Sequence, residues 1–408
     1  MSMSDTVEVD KSAVVNPNKT RLRRLLEHFQ RRKLIWIISL NILIVVIIVI
    51  QTTIILVNKN KRETTSATEI TTPTTLSTKT LLTTTTTTTS STTRGQLISC
   101  VVTNNNTKWK KNAITIAGEY GQGSALNQLS WPSGIYIDDD NQSIYIADSG
   151  NHRILRWEFV ARRGEVVAGG KGYGNAIDQL DYPLDVVLDK AKKYLIICDQ
   201  GNRRLIRWSR QNSQDQQILI SYIFCWGLAM DNNGDLYISD YGTGNVRRWR
   251  EGDTEGTVVA GGNGQGNELN QLNEPNYIFV DEYYSVYIAD DRNNRVMKWT
   301  KHATKGILVA PGQVSDKNRN LLSRPTGVIV DRKGNIYVSI NGSHQIWRWS
   351  TDAIEGDPVV GENLPGSGSA ELENPYDLSF DRQGNLYVVD LSNHRIQKFF
   401  IDLDCNKF

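Results

Sequence analysis

The sequence predicts an all-β domain: a six-bladed β-propeller closed by its own terminal strands, preceded by one transmembrane helix and a disordered stalk. Three observations predict it. A strand–turn–strand pattern recurs six times between residues 147 and 399. A spare strand sequence, "AITIAG" at 113–118, lies ahead of the first full copy. A 24-residue apolar run without a charge spans Leu34 to Val57.

The recurring stretches are "ADSGNHRILRW" (147–157), "CDQGNRRLIRW" (198–208), "SDYGTGNVRRW" (239–249), "ADDRNNRVMKW" (289–299), "SINGSHQIWRW" (339–349) and "VDLSNHRIQKF" (389–399). They end on Trp157, Trp208, Trp249, Trp299, Trp349 and Phe399, spaced by 51, 41, 50, 50 and 50 residues. Ahead of each lies a short apolar run ending in Asp, such as "GIYID" or "DVVLD", then a turn such as "NNGD" at 232–235. A fourth run, "VVAGG" or "ILVAP", follows each copy. Short β-branched and aromatic runs separated by Gly, Asn, Asp and Pro read as strands. Four strands per radial repeat indicate a propeller. The sixth copy ends after its third strand, at 395–401. Pairing that strand with 113–118 closes the ring and leaves no open terminal edge.

The signatures "P-x-G-I-x-x-D", "I-Y-I-A-D" and "N-H-R-I" resemble those of NHL-repeat β-propellers, and the resemblance covers residues 113–401. It implies a six-bladed wheel with ligands on one face. It does not fix a function, because NHL wheels serve in RNA-binding regulators, in receptor-like sensor domains and in a peptide-amidating lyase. Together with the anchor described next, it points to a membrane-anchored, receptor-like member.

About 20 apolar residues suffice to cross a bilayer, so 34–57 reads as a transmembrane helix rather than a cleaved signal peptide. Arg21, Arg23, Arg24, Arg31, Arg32 and Lys33 precede it, against Lys59, Lys61 and Arg62 after it. The heavier basic flank stays cytosolic. This makes the run a signal-anchor with an exoplasmic C-terminal part. The Thr-rich tract at 64–93 has too little apolar surface to fold and resembles an O-glycosylated stalk. The expected organisation is a basic cytosolic tail (1–33), the helix (34–57), the stalk (58–94) and the propeller (95–408). Residues 1–94 carry 13 Lys/Arg against 6 Asp/Glu, and residues 95–408 carry 33 against 38. The mildly acidic propeller is poorly suited to holding nucleic-acid phosphates.

The cysteines are Cys100, Cys198, Cys225 and Cys405. An even count in an exoplasmic domain permits disulfides. Ring closure brings Cys100 to Cys405, which leaves Cys198 with Cys225 as a staple between blades two and three. Asn105, Asn141 and Asn341 begin glycosylation triplets in the exoplasmic part.

A structural device recurs once per repeat, whereas a chemical site is usually singular. The turn position of His152 is filled by Arg203, Gly244, Asn294, His344 and His394 in the other copies. That tolerance marks a turn, not a catalytic base or metal ligand. Asp148, Asp199, Asp240, Asp290 and Asp390 recur at one strand end, with Ile340 the exception. An Asp there can accept backbone N–H bonds across the turn. The Arg156–Trp157 pair and its counterparts could stack nucleic-acid bases, but alternate strand positions face opposite ways, and packing between blades is the favoured reading. "GKGYG" (170–174) and "GNGQG" (262–266) precede no helical pattern and read as inter-blade loops, not phosphate cradles. "DNNGD" (231–235) lacks the later ligands of an EF-hand and reads as a β-turn.

The departures are more informative. At the head of the inner strand the residues are Gly134, Asp185, Gly227, Tyr277, Gly327 and Asp377. Asp185, Tyr277 and Asp377, with Trp131, Trp226, Asn276 and Tyr376 close by, form the candidate ligand site at the channel mouth. No catalytic set is evident. The expected function is an exoplasmic propeller presented as a ligand- or protein-binding module, for an unidentified protein, peptide or glycan and with no cofactor. One alternative is a hydrolase or amidating-lyase-like enzyme with a calcium or zinc ion in the channel near Asp185 and Asp377. The lyase resemblance would require a His-rich zinc site, and the five His of the chain do not supply that pattern. A second alternative is an RNA-binding NHL protein, which the topology and charge disfavour.

Overall fold

The computed structural model describes residues 107–402 except 213, 312–321 and 352. The tail, the apolar run at 34–57 and the stalk lie outside the described residues, as do Asn105, Cys100 and Cys405. Among the described residues no helix is long and apolar enough to cross a membrane.

Six four-stranded antiparallel sheets form the domain. Blade one runs β2 (Pro132–Asp138), β3 (Ser143–Asp148), β4 (Arg153–Glu158) and β5 (Glu165–Gly169). Blade two runs β6 (Pro183–Leu188), β7 (Tyr194–Asp199), β8 (Arg204–Ser209) and β9 (Gln216–Ser221). Blade three is β10 (Cys225–Met230), β11 (Leu236–Asp240), β12 (Asn245–Trp249) and β13 (Thr257–Gly261). Blade four is β14 (Pro275–Val280), β15 (Val286–Asp290), β16 (Arg295–Trp299) and β17 (Ile307–Ala310). Blade five is β18 (Pro325–Val330), β19 (Ile336–Ile340), β20 (Gln345–Trp349) and β21 (Asp357–Val360). Blade six takes β22 (Pro375–Phe380), β23 (Leu386–Asp390) and β24 (Arg395–Phe399) from the C-terminal end and its outer strand, β1 (Ile114–Ala117), from ahead of blade one. The expected closure is therefore present, with Ile114 opposite Lys398. Each inner strand adjoins the next around the axis, and β22 returns to β2.

The apolar residues form a cluster at every seam. The recurring indole explains why. Trp208 of blade two packs with Tyr145 and Ala147 of blade one, and Trp299 of blade four packs with Tyr237 and Val246 of blade three. Trp157, Trp208, Trp299, Trp349 and Phe399 are buried. Their basic neighbours lie on the other side of the strand, where Lys298 and Lys398 stack on Tyr287 and Tyr387. The Trp column is packing, as expected, and these rings are closed to nucleobases.

The recurring Asp is a clamp for the loop that leads into its own blade. In blade one, Asp148 accepts from the Ser130 amide at 2.7 Å, from Asn151 Nδ2 at 2.8 Å and from Arg153 Nε at 2.7 Å. The Arg153 guanidinium donates onward to the carbonyls of Ser124, Ala125 and Gln128. The same Asp–Asn–Arg set acts through Asp199, Asp290 and Asp390 in blades two, four and six. A buried, paired and fully hydrogen-bonded charge is tolerated inside a protein, whereas an unpaired one is not.

Blade three explains the 41-residue spacing. Three residues, Tyr222–Phe224, join β9 to β10, against 13 or 14 at the other five seams. With no long loop to hold, Asn245 stands where the clamping Arg would be, and Asp240 only closes its own turn onto Gly242 and Thr243. In place of the clamp, Cys198 of β7 and Cys225 of β10 form a disulfide with Cα atoms 5.8 Å apart. This is the expected staple. Substituting both cysteines by Ala should lower unfolding stability by about 2–4 kcal/mol. Chemical denaturation under oxidising conditions measures this.

The turn "DNNGD" is indeed structural: Asp231 Oδ1 accepts the amides of Asn233 and Asp235. Of the glycosylation triplets within the described residues, Asn141 is exposed, but Asn341 is only 9% exposed. Asn341 sits within the tight turn after β19.

Candidate functional site

Five of the six inner strands begin just after a residue whose backbone is left-handed. Trp131, Tyr182, Glu274, Arg324 and Asn374 have φ between 49° and 57°. All five precede a proline, which ordinarily restricts the preceding residue to extended conformations. For four of the five, the preceding blade accepts the amide. His394 Nδ1 accepts the Trp131 amide at 3.1 Å, His152 Nδ1 accepts that of Tyr182 at 3.1 Å, and His344 Nδ1 accepts that of Asn374 at 3.2 Å. Asn294 Oδ1 does the same for Arg324. The variable His column is thus a set of seam bonds. Any side chain with an acceptor at the right height serves, which is why Asn replaces His.

Just below, the Gly134 column alternates small and large around the axis. A Cβ at Gly134 would collide with Asp185 Oδ1 and the Leu184 carbonyl. Asp185 of blade two accepts the amides of Val186 at 2.8 Å and of Leu228, in blade three, at 2.7 Å. Asp377 of blade six accepts those of Leu378 and of Ile135, in blade one, each at 2.8 Å. The Tyr277 hydroxyl of blade four donates to the Leu184 carbonyl of blade two at 3.0 Å. Asp185, Tyr277, Asp377 and Asn276 are all buried. The structure therefore places these residues inside the channel as a plug, not at an open mouth.

Burial holds both carboxyls far above the usual carboxylate range. Asp377 is pushed up to about 7. Asp185 is raised further by the nearby Asp377 charge, so the two acids act on each other across blade one. Burial and these two charges also raise the Tyr277 phenol.

The donor set does not fit a metal. Each of the four carboxylate oxygens already takes a backbone amide. Among the described residues no group of three His, Cys, Asp or Glu side chains could hold an ion. His152, His344 and His394 each accept a seam amide.

What remains open is aromatic. Trp131 and Tyr182 are 40% and 39% exposed on the rim. Trp226 and Tyr376, from blades three and six, meet across the axis above the plug with ring centroids 6.4 Å apart. Trp226 also meets Tyr241 edge-on at 5.6 Å, and Tyr241 meets Phe224 at 5.6 Å. Arg203 lies over Phe224 at 4.7 Å. The opposite half of the rim is charged, with Arg292 paired to Glu274 at 2.7 Å and Arg324 to Asp291 at 3.5 Å.

The NHL repeat family model matches residues 129–157 and 372–399, the inner three strands of blades one and six. The chain is a six-bladed β-propeller with NHL repeats in blades one and six. No curated protein matches the sequence of this NHL propeller. Solved structures do match its shape. A protein of unknown function from Bacteroides thetaiotaomicron VPI-5482 superimposes with a TM-score of 0.57 at 17% identity, over 71% of this chain and 76% of its own. An auxiliary nutrient binding protein from the same organism gives 0.53 at 15%, over 72% and 77%. A gluconolactonase from Xanthomonas campestris gives 0.50 at 14%, over 73% and 98%. At these identities the likeness is one of fold.

Of the sequence-selected site residues, the NHL wheel brings Trp226 and Tyr376 together above the plug and keeps Trp131 on the nearby rim. It buries Asp185, Tyr277, Asp377 and Asn276 beneath them. Tyr182, Phe224, Tyr241 and Arg203 were not singled out. A signal for three of the four was present. The residue before the inner strand reads Trp131, Tyr182, Phe224, Glu274, Arg324 and Asn374, as variable as the Gly134 column, and Arg203 stands in the His column. Tyr241 was hidden because its importance depends on the shortened connection to blade three.

Proposed function

We propose that the chain is a single-pass membrane protein, N-terminus cytosolic, presenting its NHL propeller on the exoplasmic side as a ligand-binding module. The ligand rests on the aromatic half of the wheel face. One observation carries this reading: beneath the rings of Trp226 and Tyr376, both oxygens of Asp185 and of Asp377 and the Tyr277 hydroxyl bond the protein's own backbone. The aromatic face over the axis is suited to binding a ligand. The anchor and the exoplasmic side rest on the apolar run and its basic flank. The fold shared with an auxiliary nutrient binding protein fits a binding role.

Two measurements test the proposal. Protease added to intact cells should release a propeller fragment and leave the N-terminal tail protected. Immobilised residues 95–408 should retain a partner from an extracellular fraction, and Tyr376→Ala should lose it while unfolding at an unchanged temperature. Retention by the variant would move the site elsewhere.

A further inference from the structure

The missing loop of blade three has a consequence for the face. Elsewhere an inter-blade loop of 13 or 14 residues leads into the inner strand. Between blades two and three the connection is Tyr222–Phe224, and Tyr222 is 93% exposed. A continuous strip runs from this seam to the axis: exposed Arg203, then the half-buried rings of Phe224, Tyr241, Trp226 and Tyr376, with successive ring centroids 5.6, 5.6 and 6.4 Å apart. Beyond Tyr376 stands Arg324, more than half exposed, whose charge acts on the Tyr376 phenol. The strip has the Arg203 guanidinium at its outer end and, past the axis, Arg324, which is paired with Asp291 at 3.5 Å.

Its polar groups are donors. Trp226 Nε1–H is buried and has no acceptor. The Tyr241 oxygen already accepts from Gln200 Nε2 at 2.7 Å, which leaves its hydroxyl proton to give. Guanidinium groups only donate. Trp, Tyr and Arg are also the residues that dominate binding energy at protein interfaces.

We propose that this strip binds an extended, proline-rich peptide segment flanked by acidic residues. The proposal rests on the face reading above. A polyproline II chain makes no internal hydrogen bonds, so its carbonyls all point outward as acceptors, and its prolines bring no competing N–H. It rises about 3.1 Å per residue, so each ring-to-ring step spans about two residues. Proline rings fit between aromatic ridges, and the rigid chain loses little entropy on docking. Acidic ends complement Arg203 and Arg324. A neutral glycan can accept the same hydrogen bonds but offers the Arg203 guanidinium no opposite charge.

The test is a calorimetric titration of residues 95–408, which contain the whole closed ring. The probe is a hexaproline peptide carrying an Asp–Glu pair at each end. Saturable binding is expected, weakened about tenfold or more by Trp226→Ala. Tyr241→Phe keeps the ring but removes the hydroxyl and should weaken binding a few-fold. Arg203→Gln should lower affinity and flatten its salt dependence. A hexaproline with Lys at both ends should bind about tenfold more weakly than the acidic peptide. The peptide assignment is overturned if a Gly–Ser peptide with the same acidic ends binds as well, or if Trp226→Ala with unaltered unfolding binds as tightly. If maltohexaose binds in a Trp226-dependent way and the peptide does not, the face stands and the peptide falls. If Tyr376→Ala also retains the extracellular partner, the face reading itself falls.

Discussion

The propeller is expected to lose stability as pH rises from about 5 to about 8, and Asp377→Asn should remove much of that loss. The Asp377 carboxyl is pushed up to about 7 in the folded chain, chiefly by burial. In the unfolded chain it titrates at the ordinary value, about 4. A raised folded pKa contributes stability that is fully present below the unfolded pKa and is lost as pH rises through the folded pKa. A shift of this size corresponds to on the order of 4 kcal/mol. Asp185, raised in the same direction, adds to it. The Asn variant should be the weaker protein at pH 5, because its amide cannot accept both the Ile135 and the Leu378 N–H. The gap should close toward pH 8. Denaturant midpoints of the two proteins across this range measure the difference, and parallel pH profiles would contradict a buried, protonated acid at the axis. His394 works in the opposite sense. Burial lowers its pKa, so the seam bond it accepts from Trp131 is lost only as pH falls through that lowered value.

The second large effect is a contrast between blades. Asp148→Ala should cost about 3–5 kcal/mol, because it strands the buried Arg153 guanidinium and frees the loop before blade one. Asp240→Ala, at the same position of blade three, should cost only about 1–2 kcal/mol, since that carboxylate closes a turn and holds no arginine. Unfolding midpoints of the two variants decide it. Equal losses would mean that the recurring Asp is a turn device alone and that the loop clamp carries no weight.

Most of the wheel was legible because its residues recur. Six indole or phenyl positions, six turns and one spare strand leave few other ways to satisfy the backbone and bury the rings. The Cys198–Cys225 staple followed from the same arithmetic. What recurrence could not show is direction. Asp185 and Asp377 broke the pattern and so looked like ligands, but each turns into the channel and spends both oxygens on strand amides of its own and the next blade. Sequence spacing places a carboxylate at a strand head. Only the packing of the next inner strand against Gly134 decides whether water or backbone fills its coordination. The Asp–Asn–Arg clamp was half visible: the acid column and its Ile340 exception stood out, while the arginine's reach to three loop carbonyls, about 25 to 29 residues back, did not. Likewise the 41-residue spacing signalled a deletion, but not that Phe224 and Tyr241 would be uncovered by it.

The central claim is that the channel is sealed by its own residues and that ligand binding belongs to the aromatic face. Metal analysis of purified residues 95–408, beside Asp185→Asn and Asp377→Asn, tests it most directly. No stoichiometric metal is expected in any of the three after dialysis against calcium and zinc, because among the described residues no third Asp, Glu, His or Cys joins Asp185 and Asp377 in a ligand set. Stoichiometric calcium or zinc in the wild type, lost in both variants, would contradict the account and return the chemistry to the axis.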